Sequence, residues 1–354
     1  MAISFKTLTQ DDKTTSRTLL HESIPITGTL ISGTYAASTP LREINIKTYS
    51  HGMFQSVYDY PYISSSANHL FDITAGFSTA SQAHGSLSSS ANPDAAQRSK
   101  KVNIYNQMAQ VLMGYDSDGK VRRFDKDGNL TGGAKYENAL FLNFSRLLVK
   151  DEIKKGSFSL ILGSGSYNNP WASTVTITDT DAGSSYKVNS PAGEYGLLKK
   201  GSTNVGLIYY QAGIVVLSLA DAIGSVQIGP TNASSSADDL LSSGSIDSYA
   251  DGFRRRIKNI SFNNTTELNS SIFFCRANFK EFNYSSNPTY LDGSKIRVKA
   301  TGDLTNERHS LPVSYVTTVG LYSTKNELMA VAKLSEPLRK DPTNELTLRV
   351  RLDY

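Results

Sequence analysis

The clearest hydrophobic pattern lies at the end of the chain. Leu346, Leu348, Val350, Leu352 and Tyr354 alternate with Thr347, Arg349, Arg351 and Asp353. One face is apolar and the other charged, the period-two signature of a half-solvated strand. A strand this regular is expected to dock in a sheet. Val313, Tyr315, Thr317, Val319 and Leu321 alternate in the same way, as do Ile296 and Val298 with Arg297 and Lys299. Ile272-Phe273-Phe274 reads as the start of a buried strand. Further back, Phe158, Leu160 and Leu162 alternate, and so do Val175 and Ile177. The segment 205–219 predicts a hairpin, with apolar runs flanking a three-residue loop, Gln211-Ala212-Gly213, whose glycine suits positive φ. Ile214 to Leu217 is uninterruptedly apolar, which predicts a strand buried on both faces.

Helical spacing predicts two helices. Over 100–115, Ile104, Met108, Val111, Leu112 and Tyr115 form one stripe, with Gly114 near its end. Over 137–154, Leu140, Phe141, Phe144, Leu147 and Leu148 do the same, with Gly156 as the stop signal. Asp118-Gly119 and Asp127-Gly128 predict two successive hairpin turns around Val121 to Phe124. Residues 78–99 and 230–250, rich in Ser and other small or polar residues, read as loops or linkers. Residues 1–50 are poor in periodicity and read as extended segments and turns, an arm lying on a neighbouring surface. In 51–77, Phe54, Tyr58, Tyr60, Tyr62, Phe71 and Phe77 all require cover. The expected fold is mainly β (α+β), with antiparallel, sandwich-like sheets and those two helices. The expected domains are 1–156, 157–250 and 251–354.

Composition agrees. The chain has 354 residues, 39% hydrophobic and 19% charged, with 19 Tyr and 14 Phe, so it is rich in β-favouring aromatics and poor in charge. Lys+Arg 36 against Asp+Glu 32 gives a net charge of +4, too small and too spread to point to nucleic acid. One cysteine excludes an internal disulfide framework and a Cys-based zinc site. No apolar run reaches the length of a membrane span, and the first residues lack the order of a signal peptide.

Motifs for chemistry are weak. Gly114–Val121 approximates a phosphate-binding loop but lacks the closing Ser or Thr, follows a helix, and carries Asp116 and Asp118 where phosphates would sit. Asp125-Lys126-Asp127-Gly128-Asn129 departs from a calcium loop, because its glycine comes too early and Tyr136 stands where the bidentate carboxylate belongs; a different cation site with Asp116 and Asp118 stays open. The five histidines, including His51 and His69 beside the aromatic segment, have no metal-ligand spacing. Gly163–Tyr167 is not a serine-nucleophile elbow. Cys275, in an apolar run, reads as a buried, inert thiol. Arg254-Arg255-Arg256, the one basic run, reads as a solvated face or a salt-bridged subunit contact.

Several stretches resemble a structural protein of contractile-tailed, cyanophage-like bacteriophages: TLLHESIPITGTLISGTY at 18–35, HGMFQSVYDYPYISSSANHLFDIT at 51–74, KKVNIYNQMAQVLMGYD at 100–116, FLNFSRLLVKDEIKKGSFSL at 141–160, EYGLLKKGSTNVGLIYYQAGIVVL at 194–217, FFCRANFKEFNYSSNPTY at 273–290 and 316–354 entire. The resemblance spans nearly the whole chain. It implies a non-enzymatic virion component of the tail baseplate wedge, made in the bacterial cytoplasm, without cofactor or metal. Its expected partners are other tail proteins and further copies within a symmetric assembly, with neither nucleic acid nor membrane. A neck, collar or head-decoration position is the alternative. A carbohydrate- or receptor-binding β module or depolymerase is the alternative of another class, disfavoured by the single tryptophan, Trp171. The residues suited to a partner interface are Tyr58, Tyr60, Pro61 and Tyr62; Arg254, Arg255 and Arg256; and Phe282, Tyr284 and Tyr290. Tyrosine favours interfaces, and proline fixes an extended turn.

Overall fold

The structure is a computed structural model and describes residues 5–28, 36–37, 42–43, 45–64, 66–82, 95–229, 236–284, 291–292, 295–296 and 312–354. It is mostly β, 44% strand against 19% helix. The chain divides into two compact units, residues 20–266 and residues 1–19 with 267–354. The expected boundaries at 156/157 and 250/251 both fall inside the first of these.

In the 20–266 unit the chain forms, in order, β1 (Lys13–Thr27, entering from the other unit), β2 (Ile46–Thr48), β3 (Gln55–Tyr58), β4 (His69–Phe77) and α1 (Ala95–Leu112). There follow β5 (Phe124–Asp125), β6 (Lys135–Tyr136), β7 (Asn138–Phe144), β8 (Glu152–Ile153), β9 (Ser159–Gly163) and β10 (Thr174–Thr178). Then come β11 (Tyr195–Lys200), β12 (Thr203–Tyr209), β13 (Ile214–Leu217), α2 (Leu219–Ile223), α3 (Ala237–Ser243), α4 (Ile246–Arg254) and β14 (Ile257–Ala277). The strands hydrogen-bond in the order β14-β9-β10-β11-β12-β13-β7-β4-β3-β2, each neighbour antiparallel to the next, and β8 pairs antiparallel with β14. The sheet folds back on itself. The ring of Phe144 on β7 lies 5.1 Å from that of Phe262 on β14, six places away in the strand order. That gives the sandwich-like packing the alternating strands require.

The 205–219 hairpin forms as predicted. Gly213 adopts φ 66°, and a Cβ there would lie 2.7 Å from Val149, so both backbone and packing demand glycine. β13 is buried on both faces: Val215 and Leu217 join one core cluster, Val216 the other. Both Asp-Gly turns form, with positive φ at Gly119 and Gly128, closing the Tyr115–Val121 bridge and the β5–β6 hairpin.

Several expectations are corrected. Residues 137–154 do not form a helix. They give β7, a single helical turn at Arg146–Val149, and β8. β7 lies between β13 and β4, so Leu140, Leu142 and Phe144 face one cluster and Ala139 and Phe141 the other. The other helix begins earlier, at Ala95, and ends at Leu112 instead of 115; it buries Ile104, Tyr105, Ala109 and Leu112, while Val111 is exposed and Tyr115, beyond its end, is exposed too. Its seat is Gly76, where a Cβ would meet the Lys101 carbonyl at 2.4 Å. Residues 83–94 of the expected 78–99 loop, and 230–235 of the expected 230–250 linker, lie outside the described residues. The rest of that linker is two helices. Ser236 caps α3 in a box with Asp239, and the Ser245 hydroxyl accepts the Ser248 N–H to cap α4.

In the unit of residues 1–19 and 267–354, the later part of β14 pairs with β17 (Leu346–Asp353), and β15 (Ser314–Tyr322) pairs with β16 (Leu328–Lys340). β17 is docked as its alternation predicts, from Ser270↔Asp353 to Ala277↔Leu346, with Val350 buried and Arg349 and Arg351 exposed. Ile272, Phe273 and Phe274 are half-buried instead of buried, and they lie well inside a strand that starts at Ile257. The β15–β16 ladder shifts register between Val316 and Thr318, where residues 334–337 of β16 stand against Thr317 alone, and Tyr315 and Thr317 are exposed while Val319 and Leu321 are half-buried. Ile296 falls on a described two-residue strand, whereas Val298 lies outside the described residues.

Candidate interaction surface

Residues 59–68 connect β3 to β4 near one edge of the larger unit's sheet. Asp59 holds this loop by accepting from the Asn68 backbone N–H at 2.7 Å and its amide Nδ2 at 2.8 Å. Ser64 N–H donates to the Pro61 carbonyl. Tyr58 is half-buried beneath the loop, its ring edge-on to His69, and burial pushes its phenol above the usual value. His69 is fixed in turn by Asp72 at 2.8 Å, which also accepts from Ser56. On this footing Tyr60, Tyr62 and Ile63 face water, Ile63 being 83% exposed. Tyr58 is thus the support and Tyr60 and Tyr62 the presented rings, with Pro61 half-buried between them.

The three arginines part company. Arg254 and Arg256 are each 1% exposed and cannot form a basic surface. Arg254 Nε donates to Gln55 Oε1 at 3.2 Å, and its guanidinium pairs with Asp251 at 2.5 Å. Arg256 donates to the carbonyls of Gly163 (2.9 Å), Gly165 (3.0 Å) and Gln227. Burial, with Arg255 alongside, lowers its pKa. Arg255 alone is exposed, stacked 4.6 Å over Tyr167 and donating to its hydroxyl.

In the smaller unit, residues 278–284 present Phe279, Phe282 and Tyr284 to solvent. The fully buried Lys340 ammonium donates to Asn283 Oδ1 at 2.6 Å and to the carbonyls of Phe279 and Asp341. Ser314 Oγ donates to the Phe282 carbonyl. Phe282 itself adopts φ 55°, a strained conformation for an aromatic residue that holds its ring outward. Tyr290 lies outside the described residues. The sequence reading passed over the neighbouring surface of β15 and β16, where Tyr315, Tyr322, Leu328, Met329 and Val331 are all at least 48% exposed and Phe5 packs against Tyr322. The signal was there, in a segment at 313–322 with no charged residue.

Among the described residues of the smaller unit Val350 is the single buried hydrophobic, whereas the larger unit holds two extensive clusters. Cys275 is half-buried, with burial and Asp12 raising its pKa, so it is a poor nucleophile.

The near-motifs resolve into turns. Asp116 Oδ1 accepts the N–H groups of Asp118 and Lys120 at 2.9 and 2.8 Å and so caps its own hairpin. In the Asp125–Asn129 segment, Lys135 Nζ lies 3.0 Å from Asp125 Oδ1, supplying the positive charge there. Among the described residues no group of three His, Cys, Asp or Glu side chains could hold a metal ion. No helix there is long and apolar enough to cross a membrane. No family model, no curated protein and no solved structure matches the chain.

Proposed function

We propose that the chain is a non-enzymatic structural subunit of a contractile phage tail, placed in the baseplate wedge and acting through protein–protein contacts. The observation that carries the assembly part is the set of rings that the unit of residues 1–19 and 267–354 presents to solvent: Phe279, Phe282, Tyr284, Tyr315 and Tyr322 are exposed, with Met329 beside them, and among the described residues of the unit Val350 is the single buried hydrophobic. Exposed rings have the stabilisation of burial still to gain, and a neighbouring subunit supplies it. The virion and baseplate parts rest on the resemblance. Copies of the chain in a particle would be held by rigidly mounted aromatics, which give large contact areas at low entropic cost. The test is quantitative mass spectrometry and antibody labelling of purified particles of the virus that encodes the chain. Label at the baseplate is the expected result. Label on the neck or head overturns the placement, and absence of the chain from particles overturns the function.

A further inference from the structure

Residues 5–12 lie on the smaller unit and are held there by side chains. The Phe5 and Tyr322 rings are 4.7 Å apart, centroid to centroid. Lys6 Nζ lies 2.5 Å from Glu281 Oε2, in the turn of residues 278–284, and Asp12 Oδ1 lies 3.3 Å from Arg276 Nε on β14. Asp12 Oδ2 also accepts from the Thr9 N–H at 3.1 Å and the Thr9 hydroxyl at 2.9 Å, which folds residues 9–12 on themselves. The segment therefore has local order of its own, and two adjacent side chains, Phe5 and Lys6, tie it to Tyr322 and to the aromatic turn.

Those ties are slight. None of residues 5–12 is buried. Phe5 stays 43% exposed and Tyr322 48%. The Lys6–Glu281 pair is at the surface, where an ion pair is weak and screened by salt. The ties also stand where docking would occur. A neighbour that stacks on Tyr322 meets Phe5 on that ring already. A neighbour that covers Phe279 and Phe282 takes water from Glu281, which lies between them in sequence, and an ion pair that loses water without new hydrogen bonds is destabilised.

We propose that residues 5–12 are a releasable strap, fastened by Lys6 to Glu281, which occupies part of the aromatic surface in the free subunit and is displaced when a neighbouring subunit docks there. The inference rests on the assembly reading and adds its regulation. By linkage the two events favour each other: whatever opens the strap promotes docking, and docking opens the strap.

The test begins with the full chain free in solution. A carbodiimide, which joins an amine to a carboxylate in contact with it, should link Lys6 to Glu281, and added salt should lower the yield. Lys6→Glu puts like charges at the fastening and should raise nitration of Tyr322 about twofold relative to Tyr315, because Tyr322 is 48% exposed with Phe5 in place. Lys6→Glu combined with Glu281→Lys rebuilds the pair in reverse and should return the rate to that of the wild type. In particles, the Lys6–Glu281 link should be lost. In competition for incorporation, Lys6→Glu should be enriched about threefold over the wild type. Nitration indifferent to Lys6→Glu, or a reversed pair that fails to restore it, overturns the strap. So does depletion of Lys6→Glu from particles, which would make the segment part of the interface instead of a cover over it. A chain absent from particles sinks the virion reading and leaves nitration to decide the strap, whereas a chain present in particles with nitration indifferent to residue 6 sinks only the strap.

Discussion

Arg254-Arg255-Arg256 shows what a single residue type conceals. Three adjacent arginines read as one basic surface, yet the first and third point inward and only the middle one outward. Arg254 closes α4, Arg255 is its C-cap and still in right-handed helical conformation, and the Arg256 N–H donates to the Phe253 carbonyl, so the chain turns through these three residues before β14 starts. Arg256 satisfies three backbone carbonyls at once through its guanidinium, two of them from the same nitrogen. Removing it strands those acceptors and opens a cavity. Arg256→Ala should therefore cost about 3 kcal/mol or more in urea-unfolding stability. Arg255→Ala, losing an exposed stack on Tyr167, should cost under about 1 kcal/mol. Equal costs would mean that the buried carbonyl contacts contribute nothing. The signal for this split was faint, since arginines are rarely buried without a carboxylate in sequence view.

At the scale of elements, alternation was legible and continuous apolar runs were not. β17, the 205–219 hairpin and the two Asp-Gly turns follow from local pattern and turn chemistry. β7 did not, because Ala139-Leu140-Phe141-Leu142 fits a helix stripe and a doubly buried strand alike. Its place between β13 and β4 settles the matter, and that placement is non-local. The two readings differ at Leu142, which lies off the helical stripe, and at Leu147, which lies on it. In the structure Leu142 is fully buried and Leu147 is 78% exposed. Leu142→Ala should cost about 2–5 kcal/mol and Leu147→Ala close to nothing, measured by chemical denaturation. The reverse order would restore the helix. The serine-rich stretch at 236–245 was misread for another reason. Its serines are helix caps, and the Ser236–Asp239 box was the overlooked sign. Among the candidate contacts, the Tyr60–Tyr62 loop was legible because proline and aromatics mark it. Tyr315 was not, because alternation alone does not tell which face of a strand is covered, and the structure leaves it 64% exposed. Tyr60→Ala with Tyr62→Ala should leave the melting temperature within a degree or two while lowering incorporation into particles; unchanged incorporation would remove the loop from the interface.

For the whole molecule, the two units should answer acid in opposite ways. In the unit of residues 1–19 and 267–354, hydrogen bonds from Thr9 and Thr343 lower the pKa of Asp12 and Asp341, and those from Lys6 and Ser270 lower that of Glu281 and Asp353. A carboxylate with a depressed folded pKa contributes stability that is present above its ordinary value and lost as pH falls through the folded one. In the 20–266 unit, burial raises Asp179 and Asp247, and the backbone N–H groups and the Tyr210 hydroxyl on Asp179 only partly offset this. A raised carboxyl favours the fold more as pH drops from its folded value to its ordinary one. Glu22, held low by Lys150, is the opposing group in that unit. With four depressed carboxylates to lose, the smaller unit should lose its amide protection first as pH is taken from 7 to about 3, and added salt should have the same effect on its surface ion pairs. Hydrogen exchange resolved by mass spectrometry reads both units in one experiment. Simultaneous loss of protection, or earlier loss in residues 20–266, would show that the smaller unit does not depend on its ionised carboxylates.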